Sequence, residues 1–279
     1  MKSHYRCYRI LDMNKKIYIY ANDSETSKKT EKQLKQKLDN SGFVLLPKYS
    51  DEADLLVCIG GDGTFLEAIH KFDFPTMPII GINTGHLGFF QEIMPSMLDD
   101  FIFYYNQGRY SIQQLSTVKV RITTDTGTAE HVGLNEVLLK GNSTYSIHLN
   151  ISIGGSFIER FSGDGLLIAT PAGSTAYNYS LGGSIVDPRL KLLQVTPIAP
   201  MNTTAYRSFT SSILLPSDLS LGVVPDMDEE KNKLCIVYDG ATAEYENIKE
   251  IEVGFSDIHV NLMRFENYDF WTKVKSKFL

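Results

Sequence analysis

The stretch Leu55 to Ile69, LLVCIGGDGTFLEAI, constrains the fold more than any other part of the chain. An apolar run stops at Gly60-Gly61-Asp62-Gly63-Thr64, and apolar residues then resume with helical spacing. A strand, a glycine turn and a helix in that order are half of a parallel βαβ unit. The flanking sequence repeats the alternation. KIYIYA reads as a strand, Thr26 to Leu38 as a charged helix, FVLLP as a strand, TFLEAIHKF as the helix after the glycines, MPIIGIN as a strand and PSMLDDFIFYYNQG as a helix. Ser24 or Thr26 can cap the first helix, and Gly42 follows its end.

Near residue 115 the texture changes to strands. TVKVRIT and AEHVGLNEVLLK flank the turn TDTGT, SIHLNISI and FIERFS flank Gly154-Gly155, and KLCIVYD and TAEYENI flank a turn at Gly240. The final DFWTKVKSKFL is helical again, with Phe270, Trp271, Val274 and Phe278 assigned to one face. The expected fold class is α/β plus β: a Rossmann-like α/β domain over residues 13–115, a β-rich domain over 116–265, and a helix at 266–279 returning to the first domain. Residues 1–12 show no periodic pattern and are expected to lie outside the fold.

Composition narrows the function classes. Of 279 residues, 43% are apolar and 22% charged, which suits a globular protein with a sizeable core. A net charge of −6 with dispersed Lys and Arg gives no footprint for nucleic acid. The three cysteines, Cys7, Cys58 and Cys235, are far apart and form no CxxC, so neither a disulfide framework nor a zinc site is expected. No stretch reaches the about 20 apolar residues that span a bilayer. A cytoplasmic location without membrane attachment is the expectation.

A glycine turn before a helix offers backbone N–H groups and a positive helix end to phosphate. The loop is not a Walker A, because it lacks the lysine of GxxxxGK[ST]. Nor is it a dinucleotide GxGxxG, because Leu66 stands where the last glycine belongs. What remains is a diglycine with Asp62 and with Thr64, which can cap the helix. Ordinary turn chemistry would also account for these residues taken alone.

A second constellation, FSGDGLLIATPAGSTAYNYSLGGSIVDP, is too dense for a plain hairpin. It combines Asp164, Thr170, Ser174, Thr175, Tyr177, Asn178 and Ser180 with Gly163, Gly165, Ala172, Gly173, Ala176, Gly182 and Gly183. Hydroxyls, an amide and a carboxylate suit a ribose and a carboxamide; a capped helix in a polar loop would explain Ser174 alone. Asn135 and Glu136 in LNEVLLK form a third candidate, open also to reading as a strand end or bulge. His70, His131, His148 and His259 show no ligand spacing, and His86 either touches ligand or braces its loop.

IGGDGTFLEA, GINTGHLGFF, LNEVLL and DGLLIATPAGSTAYNYSLGGSIVDP, followed by VTPIAP, resemble the ATP-NAD kinase family in order and spacing. The resemblance implies transfer of a phosphoryl group from ATP to the adenosine-ribose 2′-hydroxyl of NAD, with NAD held between the two domains. It implies that Gly60, Gly61, Gly63 and Thr64 hold the ATP phosphates and that Asp62 meets the ribose hydroxyl, Gly63 also lying beside NAD. Asn135 would stand near the adenine and Glu136 near ribose hydroxyls. Asp164 and Ala176 would contact the nicotinamide side, or its counterpart from a neighbouring subunit. Thr175, Tyr177, Asn178 and Ser180 would line the nucleoside pocket, with Ala199 a further substrate contact and Phe89 a packing wall beside adenine. A homodimer or homotetramer is implied. Ser162 stands where many members have Arg or Lys, Gly240 where some have His, and PIAPMNTTAYRS lacks a His found in many.

Phosphoryl transfer needs an in-line hydroxyl, a phosphate cradle and charge neutralisation. With no lysine in the loop, a divalent ion, Mg²⁺, is expected to supply the last of these. Asp62 can then act as general base or orient the hydroxyl by a charged hydrogen bond. Two alternatives share parts of the pattern. A lipid or sugar kinase would use the same GGDG loop with a different acceptor site, and a non-catalytic dinucleotide-binding regulator would keep the pocket without needing Asp62.

Overall fold

The computed structural model describes residues 14–141, 146–203, 207–226, 233–266 and 268–278. The extension expected at 1–12 lies outside the described residues. Contacts divide the chain into two units, Met1–Gln114 with Val260–Leu279, and Leu115–His259.

The first unit runs β1 (Lys16–Ala21), α1 (Glu25–Asn40), β2 (Val44–Leu45), β3 (Leu55–Gly60), α2 (Asp62–Lys71), β4 (Ile79–Asn83), β5 (Gln91–Ile93) and α3 (Leu98–Asn106). Its strands lie parallel in the order β2-β1-β3-β4, with β5 parallel on β4. Every residue of β3 and β4 is buried, as a parallel sheet covered on both faces requires. Ser24 is the cap of α1, its Oγ accepting the Ser27 N–H at 3.2 Å, and Gly42 leaves the helix end at φ +80°. The helix α2 begins at Asp62, earlier than Thr64, with Gly61 as its cap. Thr64 therefore caps nothing; its hydroxyl accepts from Asn22 Nδ2 at 3.0 Å instead.

The second unit contains β6 (Ser111–Thr124, from Leu115 on), β7 (Thr128–Gly133), β8 (Glu136–Gly141), β9 (Ile147–Ile153), β10 (Ser156–Gly163), β11 (Gly165–Ala169), the short α4 (Tyr177–Ser180), β12 (Leu192–Ile198), β13 (Ile213–Pro216), β14 (Leu221–Pro225), β15 (Lys233–Tyr238), β16 (Ala241–Glu246) and most of β17 (Ile248–Arg264). One sheet is ordered β13-β12-β11-β8-β15-β16, and β10-β9-β14-β17 together with β6 and β7 form the other face of a sandwich. Val118, Val137, Leu149, Phe161, Ile168, Val195, Ile236 and Val253 are among the side chains that fill the core. The turns at Gly154-Gly155 and Asp239-Gly240 have positive φ at both residues, as tight hairpins need.

From Val260 the chain belongs to the first unit, where the end of β17 pairs with β4 and α5 (Phe270–Phe278) packs over β5. Phe270 and Val274 of α5 are buried, whereas Trp271 is half exposed. Adjacent residues lie about 100° apart on a helix, and Trp271 falls at the margin of the buried face, its ring edge-on to Phe270.

Candidate active site

In the first unit the polar residues gather at the carboxyl ends of the parallel strands, where open α/β sheets bind ligands. Asn22 follows β1, the glycine loop follows β3 and Thr84 follows β4. The loop is tightly built. A Cβ on Gly60 would lie 2.2 Å from Thr64 Oγ1, so only glycine lets the turn close over that hydroxyl. At Gly61 and Gly63 a Cβ would meet nothing within 4 Å, and the loop is open on that side. As the first two residues of α2, Asp62 and Gly63 have N–H groups with no partner within the helix.

Asp62 turns back onto the sequence GFF. Its Oδ2 accepts the Phe89 N–H at 2.8 Å and its Oδ1 the Phe90 N–H at 3.1 Å. Gln91 Nε2 donates to the Gly61 carbonyl at 2.8 Å, tying the same two segments together again. Both carboxylate oxygens keep further lone pairs, so the group retains capacity to accept from a hydroxyl.

The segment is held from the other side by two cations that sequence reasoning missed, Arg264 buried and Lys273 half-buried. Arg264 donates to the Phe89 carbonyl at 3.1 Å, to Gln113 at 2.9 Å and to Glu92 at 3.4 Å, and stacks 3.6 Å over the Tyr268 ring. Lys273 donates to the Gln91 carbonyl at 2.5 Å and lies 3.4 Å from that of Phe89. Burial, reinforced by the Arg264 charge and opposed by Glu92 and Asp62, pushes the Lys273 ammonium down to about 8. The Phe89 ring packs on Phe270 and Phe278 of α5, with Lys277 4.9 Å above it. That ring is engaged within its own unit.

In the second unit Asn135 and Glu136 open β8, beside the carboxyl ends of β11 and β15, since β8 runs antiparallel to both. Asp239, just past β15, caps this edge: its Oδ2 accepts the Leu134 N–H at 2.6 Å, and its Oδ1 those of Asn135 at 2.7 Å and Glu136 at 3.3 Å. Thr170, just past β11, donates through Oγ1 to the Leu134 carbonyl at 2.6 Å, and its N–H reaches the Asn135 carbonyl at 2.9 Å. A Cβ on Gly173 would lie 2.0 Å from that same Asn135 oxygen, which explains a glycine there. With the backbone so fixed, Asn135 Oδ1 and Glu136 Oε2 are buried and have no hydrogen-bond partner among the described residues. Burial, together with the Asp239 charge, pushes the Glu136 carboxyl up to about 8.

The turn after Thr170 sorts the remaining candidates. Ser174 is a brace: its hydroxyl donates to the Pro171 carbonyl and accepts the Val186 N–H. Asn178 is fully buried, its Oδ1 accepting from Thr196 at 2.7 Å, and a Cβ on Gly183 would overlap its amide. Thr175 is buried, Ala176 half-buried, and Tyr177 and Ser180 exposed. Asp164 and Ala199 are exposed at the opposite end of β11, beside Gly165. Five residues of strand separate them from Thr170, about 17 Å. Ala199 sits at φ +43°, a conformation unusual for alanine.

Ser162, where a cation is expected from relatives, is buried and hydrogen-bonded through its backbone to the Ser208 hydroxyl. His131 stacks on Tyr238 and hydrogen-bonds Tyr245 at 2.6 Å, while His70 packs edge-on against Phe74. His86 is exposed in the loop before Phe89. Among the described residues no group of three or more His, Cys, Asp or Glu side chains could hold a metal ion, and no helix is long and apolar enough to cross a membrane.

Residues 2–110 match the family model of the ATP-NAD kinase N-terminal domain, and residues 134–265 that of the ATP-NAD kinase C-terminal domain. An NAD kinase of Finegoldia magna is 38% identical over 269 residues, covering 95% of this chain and 98% of that relative. Two solved structures share the fold. A yeast NADH kinase complexed with NADH aligns at a TM-score of 0.79 with 19% identity, over 94% of this chain and 86% of its own. An NAD kinase from Archaeoglobus fulgidus in complex with ATP aligns at 0.72 with 24% identity, over 94% and 99%.

Proposed function

The chain belongs to the ATP-NAD kinase family, and we propose that it transfers the terminal phosphoryl group of ATP to the adenosine-ribose 2′-hydroxyl of NAD, giving NADP. The observation that carries this reading is the pair of buried oxygens Asn135 Oδ1 and Glu136 Oε2, which have no partner among the described residues. Folded proteins rarely leave such atoms without partners, and a nucleoside's amino and hydroxyl groups are suitable donors. Asn135 takes the adenine side and Glu136 the ribose hydroxyls, with Thr175, Tyr177 and Ser180 along the nucleoside and Ala176 toward the nicotinamide side. Asn178 serves by holding the turn, in keeping with its buried amide.

Gly61 and Gly63, with the free amides at the start of α2, hold the ATP phosphates, and Gly60 and Thr64 shape the loop beneath them. ATP enters as its Mg²⁺ complex, the ion neutralising phosphate charge that no lysine in the loop can meet. Asp62 contacts the acceptor hydroxyl. Fixed by two amides, it orients that hydroxyl and accepts its proton as the oxygen–phosphorus bond forms. Phe89 contributes by bracing this segment under α5.

Asp164 lies at the other end of β11 from Asn135 and Glu136, which favours its acting on the nicotinamide side of NAD in a neighbouring subunit, with Ala199 beside that end a further substrate contact. This reading calls for a homodimer or homotetramer, which we place in the cytoplasm. The exposed Phe157 and Ile158 of the β9–β10 hairpin supply apolar surface for it. Incubation of the protein with ATP, Mg²⁺ and NAD, coupled to an NADP-specific dehydrogenase, tests the assignment; phosphorylation of a lipid or sugar instead would replace it.

A further inference from the structure

The Phe89–Phe90 peptide group is engaged at both ends. Its N–H, that of Phe90, donates to Asp62 Oδ1 at 3.1 Å, while its carbonyl, that of Phe89, faces Arg264 at 3.1 Å and Lys273 at 3.4 Å. Lys273 also grips the next-but-one carbonyl, Gln91, at 2.5 Å. Cations on a peptide carbonyl polarise the group and strengthen the hydrogen bond its N–H donates. Arg264 already pairs the Phe89 carbonyl, so Lys273, half-buried beside it and bonded mainly to Gln91, adds a second cation to an oxygen that is already bonded. The surroundings make the cluster nearly neutral: Arg264 and Lys273 face Glu92 of β5 and Asp62 of α2, with Lys277 of α5 and Tyr268 at the margin.

We propose that Lys273, acting with Arg264, is a positioning residue for the phosphoryl transfer: from the C-terminal helix it fixes and polarises the Phe89–Phe90 peptide that holds the Asp62 carboxylate. The consequence for turnover rests on the function proposed above; the clamp itself does not. Below about pH 8 the ammonium carries its charge and the clamp is closed, and as pH rises through that value the charge is lost and the Asp62 contact slackens.

The test compares Lys273→Met and Lys273→Arg with the unaltered protein, reading kcat, KM, the pH profile and hydrogen exchange at the Phe90 amide. Lys273→Met is expected to lower kcat about ten- to a hundred-fold with KM for NAD and ATP within about two-fold, as for misplacement of a reacting group. Phe90 amide exchange is expected to accelerate in that variant. Lys273→Arg, which stays charged, is expected to recover most of the activity and to move the alkaline fall in kcat to higher pH. Unchanged kcat and Phe90 exchange in Lys273→Met would overturn the proposal, as would an alkaline limb that Lys273→Arg leaves in place. If Lys273→Met does not fold, the pH profile of Lys273→Arg decides. If the unaltered protein forms no NADP, the function fails, and Phe90 exchange in Lys273→Met still decides the clamp.

Discussion

Gly88 and Asp62 are so close that a Cβ on Gly88 would lie 2.2 Å from the carboxylate Oδ1. The contact explains the glycine in GHLGFF: the backbone must pass against the carboxylate for the Phe89 and Phe90 amides to reach it. Gly88→Ala is expected to push the Asp62 side chain out of place, lowering kcat about a hundred-fold while KM for NAD changes little. The strain should also cost about 1–3 kcal/mol of stability, read as a lower thermal midpoint. At Gly85, in the same loop, a Cβ would meet nothing within 4 Å, so Gly85→Ala is the control that should retain activity.

The strand–glycine–helix unit and the later hairpins were legible in the sequence because they rest on local patterns. Apolar periodicity located β3, α2 and β4, and turn glycines, Gly154-Gly155 and Gly240, located the β9–β10 and β15–β16 hairpins. The site residues were legible as types in a motif, but their supports were not. Asp62 reaches Phe89 across 27 positions, Asn135 is held by Asp239 across 104, and Lys273 reaches Gln91 across 182. An Asp before Gly240 reads from sequence as turn chemistry, and a lysine on an amphipathic helix reads as surface; only tertiary folding makes one a cap and the other a half-buried clamp. Phe89 and Asn178 illustrate the converse. Both lie in motif positions, yet packing against α5 and a hydrogen bond from Thr196 occupy their side chains.

Glu136 carries a cost that rises with pH. Its carboxyl is raised in the folded protein from 4.5 to about 8, so between those values the folded state binds more protons than the unfolded state. Stability from this group is therefore full below about pH 4.5 and is lost as pH rises to about 8. Glu136→Gln removes the effect. Its thermal midpoint relative to the unaltered protein is expected to climb from pH 5 to pH 8, by the equivalent of a few kcal/mol at most. Above about pH 8, where the Glu136 carboxyl is ionised, NAD affinity is expected to fall about ten- to a hundred-fold in the same variant, the loss of a charge-assisted hydrogen bond. Parallel midpoint curves for the two proteins would contradict the assignment.

The placement of Asp164 at the far end of β11 gives a complementation test. Asp62→Asn and Asp164→Ala are each expected to be inactive or nearly so. If Asp164 serves a neighbouring subunit, mixed assemblies of the two variants contain sites with both residues intact. Co-refolded mixtures should then regain a measurable part of the activity, whereas separate preparations combined without subunit exchange should not.

The most direct test of the central claim is the product formed from ATP, Mg²⁺ and NAD by the unaltered protein and by Asp62→Asn. The account predicts NADP, read by an NADP-specific dehydrogenase, with turnover in Asp62→Asn reduced by at least the about 10²–10⁴-fold typical of a lost acid–base group. Absence of NADP with the unaltered protein, or undiminished turnover in Asp62→Asn, would contradict it.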